Sequence, residues 1–392
     1  MDAGQPPANR PPDVVLRHAR GAAAVAGIDR VAELPDPDGL GVWVFAARRP
    51  QARGDVHAFG KGFDPAAAEV GAYLEALEGY HAEPGVGCVP SRRGTARDVP
   101  GGDRADDAVL EFGPRLGRVI DLDEPLPLAA AHDVETGAVG WLPAEVVFFP
   151  PADGPGVFGG STAGLAAGTS VAAATAHALL ELIERDVWSF ELVRDSSRPV
   201  AGRTLPDEVR EVGDRARRRG LGLAVRTVPT EYGLPFFAAF LFDEGTPRRA
   251  TFNGGWGCHP DRHTAVVRAV TEAVQSRLAF FHGLRVVPPP PPDFDDGDEA
   301  GFVRRHVRAV CDDRGAVAFA DVPDPGPGEG YLGALIGRLR RVTPRPVYRV
   351  ELTPPGAPVA VVRVVVPTLE NVQDGNVRIG PRLHAAVAAG VA

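Results

Sequence analysis

The 392 residues are enough to bury a large core and to divide into two lobes. Hydrophobic residues make up 44% and charged residues 24%, the balance of a globular enzyme-sized domain and not of a disordered chain. A formal charge of −9 argues against generic binding to nucleic acid, and no uncharged apolar run is long enough to span a membrane.

In chain order, Met1 to Asp13 is polar and proline-rich without an apolar signal core, so residues 1–13 are expected to be a disordered tail and the protein cytoplasmic. Residues 14–57 mix short apolar runs, such as Val42-Trp43-Val44-Phe45, with turn residues, and should give a helix-turn and a strand or two. The main domain is expected over residues 58–384. Residues 64–83 read as a helix, with Asp64 as N-cap and Pro65 at the first helical position. Residues 85–107 read as a glycine- and arginine-rich loop, and Glu145 to Phe149 as a strand. Residues 154–170, dense in Gly, Ser and Thr, lead into a long helix from about Ala172 to Leu192 that contains no Gly or Pro.

Strands are expected at Leu223 to Val225 and Phe236 to Phe242. Gly254-Gly255-Trp256-Gly257 reads as a turn before another helix, from about Asp261 to Phe281. Five prolines from Pro288 and the acidic patch after them read as a surface loop. Residues 302–341 suggest two helices around a strand, and residues 347–352 and 358–366 read as β-branched strands. The class is a mixed α/β (α+β) fold with no fixed-period repeat. Cys88, Cys258 and Cys311 are far apart and suggest neither a zinc site nor a disulfide framework.

Three helices carry polar stripes. Glu75 and Glu78 are three apart and share a face, and Glu181 and Glu184 repeat that spacing. His177 lies one turn before the second pair, and Arg185 and Asp186 follow it. On the third helix Arg268, Glu272 and Gln275 are spaced by four and three, with Arg277 close by. One Glu-x-x-Glu pair is commonly a solvated stripe. Two pairs, the second set in the apolar run Leu179-Leu180 and Leu182-Ile183, call for a counter-charge, and a divalent cation such as magnesium is the natural one. Opposed glutamate faces could hold Mg²⁺ against a nucleotide triphosphate. The only lysine, Lys61, sits between Gly60 and Gly62 and could meet a phosphate as a point charge. Glycine-rich segments ahead of two of these helices would let backbone N–H groups approach phosphates. A di-iron bundle is a rival reading, since Glu78-Gly-Tyr-His81 fits Glu-x-x-His once, but no second such pair exists. A non-catalytic peptide-binding scaffold is another.

The run Gly164-Leu-Ala-Ala-Gly168 with His177-Ala-Leu-Leu-Glu-Leu-Ile-Glu-Arg-Asp186 resembles the YcaO family. So does Gly257-Cys-His-Pro260 followed by Arg268-Ala-Val-Thr-Glu-Ala-Val-Gln-Ser-Arg277, and Val364-Val-Val-Pro-Thr-Leu-Glu370 resembles its C-terminal strand. Gly60-Lys-Gly62 through Glu83 is most similar to the branch that works with TfuA-type partners. The resemblance covers Ala58 to Glu370 and implies a YcaO-type fold, with an ATP and Mg²⁺ groove lined by helices packed on β-sheets. It implies phosphorylation of a backbone amide oxygen of a precursor peptide after a nucleophile adds to the amide carbon. The nucleophile is a Cys, Ser or Thr side chain for azolines, a sulfide source for thioamides or an amine for amidines.

Carried over, the resemblance makes Lys61, Glu75, Glu78, Glu181, Glu184, Gln275 and Arg277 nucleotide and Mg²⁺ residues, with the four of Glu75, Glu78, Glu181 and Glu184 as metal ligands. Thr169, His177, Arg268 and Glu272 complete the nucleotide set, and Arg185 positions phosphates or carboxylates. Glu181, Glu184, Arg185, Gln275 and Arg277 are the expected catalytic group. Azoline-forming members often end in a proline-rich tail, and Ala385 to Ala392 lacks proline, which favours thioamide formation. A homodimer is compatible with these expectations. The family usually has Ser at Gly71, Asn at Thr169 and an acidic residue near Ala173, so three potential contacts are altered here.

Overall fold

A computed structural model describes residues 12–101, 105–118, 120–152, 156–245, 248–285, 299–326, 328, 330–372 and 378–390. The chain runs α1 (Pro12–Ala23), β1 (Arg30–Glu33), β2 (Trp43–Arg48), β3 (His57–Gly62), α2 (Pro65–His81), β4 (Ser91–Gly94), α3 (Ala105–Leu110), β5 (Leu126–Asp133), β6 (Val139–Pro143), α4 (Ala144–Val147), β7 (Leu165–Gly168) and α5 (Val171–Glu191). It continues β8 (Arg198–Pro199), α6 (Asp207–Arg218), β9 (Leu221–Val228), β10 (Phe236–Asp243), β11 (Phe252–Cys258), α7 (Arg262–Phe281), α8 (Glu299–Cys311), α9 (Tyr331–Leu339), β12 (Tyr348–Glu351), β13 (Ala360–Val365) and α10 (Pro381–Gly390).

The described residues form three sheets. One has the order β1-β2-β3, one β11-β10-β9-β8, and the largest β4-β5-β12-β13-β7 with β6 paired to β5. The apolar run of β10 is a strand buried on both faces. Phe236, Ala238, Phe240 and Phe242 point into the core shared with α5, and Phe237, Ala239 and Leu241 into the core shared with α7. The α5 helix also lies on β7 and β13, and α2 bridges β3 and β7. The sheets are therefore separated by α2, α5 and α7, the three helices with polar stripes.

The expected start of α2 holds, since the Asp64 carboxylate accepts from the N–H groups of Ala66 and Ala67, and Pro65 opens the helix. Several expectations are corrected. Pro12 and Asp13 belong to α1, while residues 1–11 of the expected tail lie outside the described residues, as does the proline and acidic stretch over 286–298. Residues 85–107 contain β4 and the start of α3 as well as loop. Val146 and Val147 are in the short α4 helix, packed into the core after Pro143 ends β6, so the strand bias of two β-branched residues did not decide the conformation. Between α8 and α9 the described residues form no strand; Val317 makes a single bridge to Val200.

The Gly254 to Gly257 segment is also not a turn but the middle of β11, and its glycines serve packing. A Cβ on Gly255 would stand 2.3 Å from both the Ala269 oxygen and the Ala273 nitrogen, and one on Gly257 2.1 Å from the Ala265 oxygen. Gly60 in β3 does the same for α2, where a Cβ would come 1.9 Å from the Ala68 oxygen. Missing side chains on the strands let both helices lie directly on them and bring their polar faces to one opening.

Candidate active site in the groove between three helices

The stripes of α2, α5 and α7 meet in a cavity of about 1030 Å³, lined also by β3 and β7. Glu75, Glu78, Glu181, Glu184, Glu272, Lys61, Arg185, Arg268, His177, Thr169 and Gln275 all line it. Each of the four predicted metal glutamates is fixed by a backbone N–H from a strand or its approach. Glu75 accepts from Phe59 (3.2 Å), Glu78 from Ala167 (2.6 Å), Glu181 from Gly164 (3.3 Å) and Glu184 from Cys258 (2.9 Å). For Glu75, Glu78 and Glu184 the second oxygen has no hydrogen-bond partner among the described residues. One oxygen sets orientation and the other remains for a ligand.

These carboxylates are held uncomfortably. Burial raises the pKa of Glu75, and raises that of Glu78 well above the usual range with the negative charge of Glu75 adding to it. Burial lifts Glu181 to about 7, with Arg185 opposing and Glu184 reinforcing. Burial and the charge of Glu272 raise Glu184. Burial also works against the Glu272 carboxylate, but Lys61 and Arg185 outweigh it and hold Glu272 below the usual range. The Lys61 ammonium is 2.6 Å from Glu272, so the lone lysine lies in a strand of the groove wall and bridges to α7. Arg185 reaches Glu181 only at 3.9 Å, and its buried Nε has no partner among the described residues. Burial and the neighbouring Arg268 lower His177 to about 3, so it is neutral at physiological pH, with Nδ1 3.5 Å from Arg268.

Arg277 is the predicted site residue that the structure takes elsewhere. It pairs with Asp38 (2.6 Å) and Asp243 (2.9 Å) and does not line the cavity. Two residues beyond Gln275 on a helix means a rotation of about 200°, which turns Arg277 to the opposite face. Gly71, Thr169 and Ala173, the three departures noted above, all line the groove. A Cβ at Gly71 would stand 3.1 Å from the Gly60 Cα, so Gly71 belongs with the close β3–α2 packing.

Sequence reasoning missed four neighbours. Arg285 lines the groove and acts on Glu75, and His259 and Tyr331 line it near Arg268. Arg363 of β13, 1% exposed, donates to the carbonyls of Val147, Ala163 and Ser161 and places a positive charge beneath Glu181 and Glu78. His259 stood in a motif and could have been found; the others come from distant segments without a local pattern.

Among the described residues no three His, Cys, Asp or Glu side chains stand together as a ready metal cage. Magnesium does not require one, because it commonly uses one or two carboxylates, substrate phosphates and retained waters. Orphaned carboxylate oxygens, raised carboxylate pKa values, the partnerless Arg185 Nε and a cavity of nucleotide size all fit a magnesium–triphosphate ligand.

Comparison with known proteins decides the family. A family model described as YcaO cyclodehydratase, ATP- and Mg²⁺-binding, matches residues 59–370. This chain belongs to the YcaO family. ATP and Mg²⁺ are the cofactors that go with that assignment. The YcaO protein of Methanopyrus kandleri, solved bound with AMPPCP and Mg²⁺, superposes with a TM-score of 0.75 at 25% identity over 95% of each chain. A heterocyclase solved in complex with substrate and cofactor shares the fold, with a TM-score of 0.74 at 18% identity over 97% of this chain and 55% of that one. A Rhizobium leguminosarum bv. trifolii protein described as lying in the tfuA 3′ region is 29% identical over 389 residues, covering 91% of this chain and 87% of that protein. Among the described residues no helix is long and apolar enough to cross a membrane.

The raised carboxylates have a pH consequence. Glu181 titrates at about 7 when folded against a usual 4.5, so its protonated form favours the fold. Its contribution to stability is complete below about pH 4.5 and is lost as pH rises through about 7. Without ligand, the thermal midpoint should therefore lose this contribution over that window. If Glu181 is a metal ligand, the stabilisation given by Mg²⁺ with nucleotide should grow over the same window, because a cation would be held by its ionised form. Thermal unfolding between pH 4.5 and 8, with and without Mg²⁺ and an ATP analogue, checks this; a ligand increment that shrinks with rising pH contradicts it.

Proposed function

We propose that this protein uses ATP and Mg²⁺ to activate backbone amides of a precursor peptide, and that with a TfuA-type partner it converts them to thioamides. The observation that carries the reading is the convergence of Glu75, Glu78, Glu181, Glu184 and Glu272 on one cavity with Lys61, Arg185 and Arg268. A relative described by its place beside tfuA supports the partner, and the YcaO protein solved with AMPPCP and Mg²⁺ supports the nucleotide site.

Bound Mg²⁺ supplies neutralisation of the charge that develops on the transferred phosphoryl group. The residues of this chain supply the rest. Glu75, Glu78, Glu181 and Glu184 would hold the ion, with Glu75, Glu78 and Glu184 each keeping one oxygen without a hydrogen-bond partner among the described residues. Lys61, Arg185 and Arg268 face the phosphates, and Gln275 lines the site beside Glu272. Hydrosulfide adds to the amide carbon, the amide oxygen receives the terminal phosphoryl group with release of ADP, and that oxygen then departs as phosphate, which carries away the sulfur's proton and leaves the C=S bond. Incubation with a TfuA-type protein, ATP, Mg²⁺, sulfide and a candidate precursor peptide should give an oxygen-to-sulfur mass change. A product that has lost water instead points to azoline formation and overturns the thioamide assignment.

A further inference from the structure

One stretch of the groove wall carries a second set of polar groups, with Glu184 bonded beside it at the Cys258 N–H. Its lining is His177, Arg268, Thr264, His259 and Tyr331. Thr264 lies two turns before Glu272 on α7, about 12 Å along the axis. Tyr331 is the first residue of α9, after Gly330 in a left-handed conformation (φ 62°).

The hydrogen bonds along this stretch have a direction. His259 Nδ1 accepts from the Asp261 N–H (3.0 Å), which leaves the proton of the neutral ring on Nε2. Burial and Arg268 lower the pKa of His259, so the neutral ring is the resident form. Nε2 then donates to the Tyr331 oxygen at 3.2 Å. Burial raises the Tyr331 pKa to about 12, and the phenol keeps its proton. That proton has no acceptor among the described residues. The result is an oriented O–H donor lining the cavity, next to Arg268, the guanidinium assigned above to the phosphates, which meets the neutral His177.

Such a set suits a carbonyl oxygen. The other side of the cavity, where Val56, Leu74 and Phe149 give apolar wall next to Glu75 and Glu78, is the better seat for a nucleoside. We propose that Tyr331, oriented by His259, donates a hydrogen bond to a carbonyl oxygen of the bound peptide where the start of α9 lines the groove. The inference rests on the peptide-modifying function proposed above. Tyr331 is a substrate-holding residue, and His259 acts through it as a positioning residue.

The test compares wild type, Tyr331→Phe and His259→Gln, using a synthetic library of capped dodecapeptides with sulfide and the TfuA-type partner. Two quantities are read: the affinity for AMPPCP with Mg²⁺, and peptide-stimulated ATP consumption across peptide concentration. Loss of one neutral hydrogen bond should raise the apparent KM for peptide about tenfold in Tyr331→Phe, with a smaller change in kcat and nucleotide affinity held within about twofold. His259→Gln should move KM in the same direction by less. Equal stimulation of wild type and Tyr331→Phe overturns the inference alone. Weakened AMPPCP binding in Tyr331→Phe also overturns it, because the hydroxyl would then belong to the nucleotide. A wild type that binds AMPPCP but shows no peptide stimulation overturns the peptide reading and this inference with it.

Discussion

Glu184→Gln should abolish most ATP consumption, by a factor on the order of 10²–10³, while leaving a folded protein, and Glu181→Gln should do the same. The expectation follows from how these groups are held. Glu184 is 3% exposed and accepts from the Cys258 N–H, and a glutamine can keep that bond through its carbonyl oxygen. The charge is what disappears. In the free protein that charge is a burden, since burial and Glu272 already push its proton affinity up. Removing it should leave stability unchanged or improved, while the site would lose one of the anionic ligands proposed for magnesium. Alanine is the less informative change, because it strands the Cys258 N–H at a cost of about 1–3 kcal/mol. ATP consumption and urea unfolding of the two glutamine variants check the point. Turnover like wild type in both would remove the metal role assigned to them.

Gly257→Ala should cost about 3 kcal/mol of stability and most of the activity, from a residue that carries no functional group. Its Cβ would meet the Ala265 oxygen at 2.1 Å, the Ala269 nitrogen at 2.9 Å and the Arg268 Cβ at 3.0 Å. Two of these are helix backbone atoms, which cannot swing aside as a side chain can. The α7 helix would have to lift from β11, and Arg268, Glu272 and Gln275 would leave the groove with it. Gly213→Ala in α6 is the control: its Cβ meets nothing nearer than Leu223 at 3.7 Å, and the change should stabilise by about 0.5–1 kcal/mol. Urea unfolding of the two variants separates packing from propensity. A Gly257→Ala protein as stable as wild type would show that the strand–helix approach is not tight.

These two residues also mark what was legible in the sequence. Glu184 was readable because helical spacing is local: three residues apart fixes a shared face, and an apolar surround implies burial. The cap of α2 was readable for the same reason, as Asp64 and Pro65 act within one turn. Gly257 was misread because glycine signals a turn by its backbone freedom, and the sequence does not display the helix that needs its missing side chain. Arg277 failed by rotation, since its neighbour Gln275 faces the groove and its own side chain reaches Asp38 and Asp243. Tyr331 and Arg363 reach the site from α9 and β13, elements joined to it only by tertiary structure. The carboxylate floor of the groove was therefore visible from local periodicity, whereas the wall at Tyr331 and the buried arginine beneath the floor depended on contacts between distant segments.

Crystals grown with Mn²⁺ in place of Mg²⁺ and with AMPPCP, analysed by anomalous scattering, put the central claim to its most direct test. The account predicts manganese peaks between the carboxylates of α2 and α5, bridging them to the analogue's phosphates. Bound AMPPCP with manganese located away from Glu75, Glu78, Glu181 and Glu184 would contradict it.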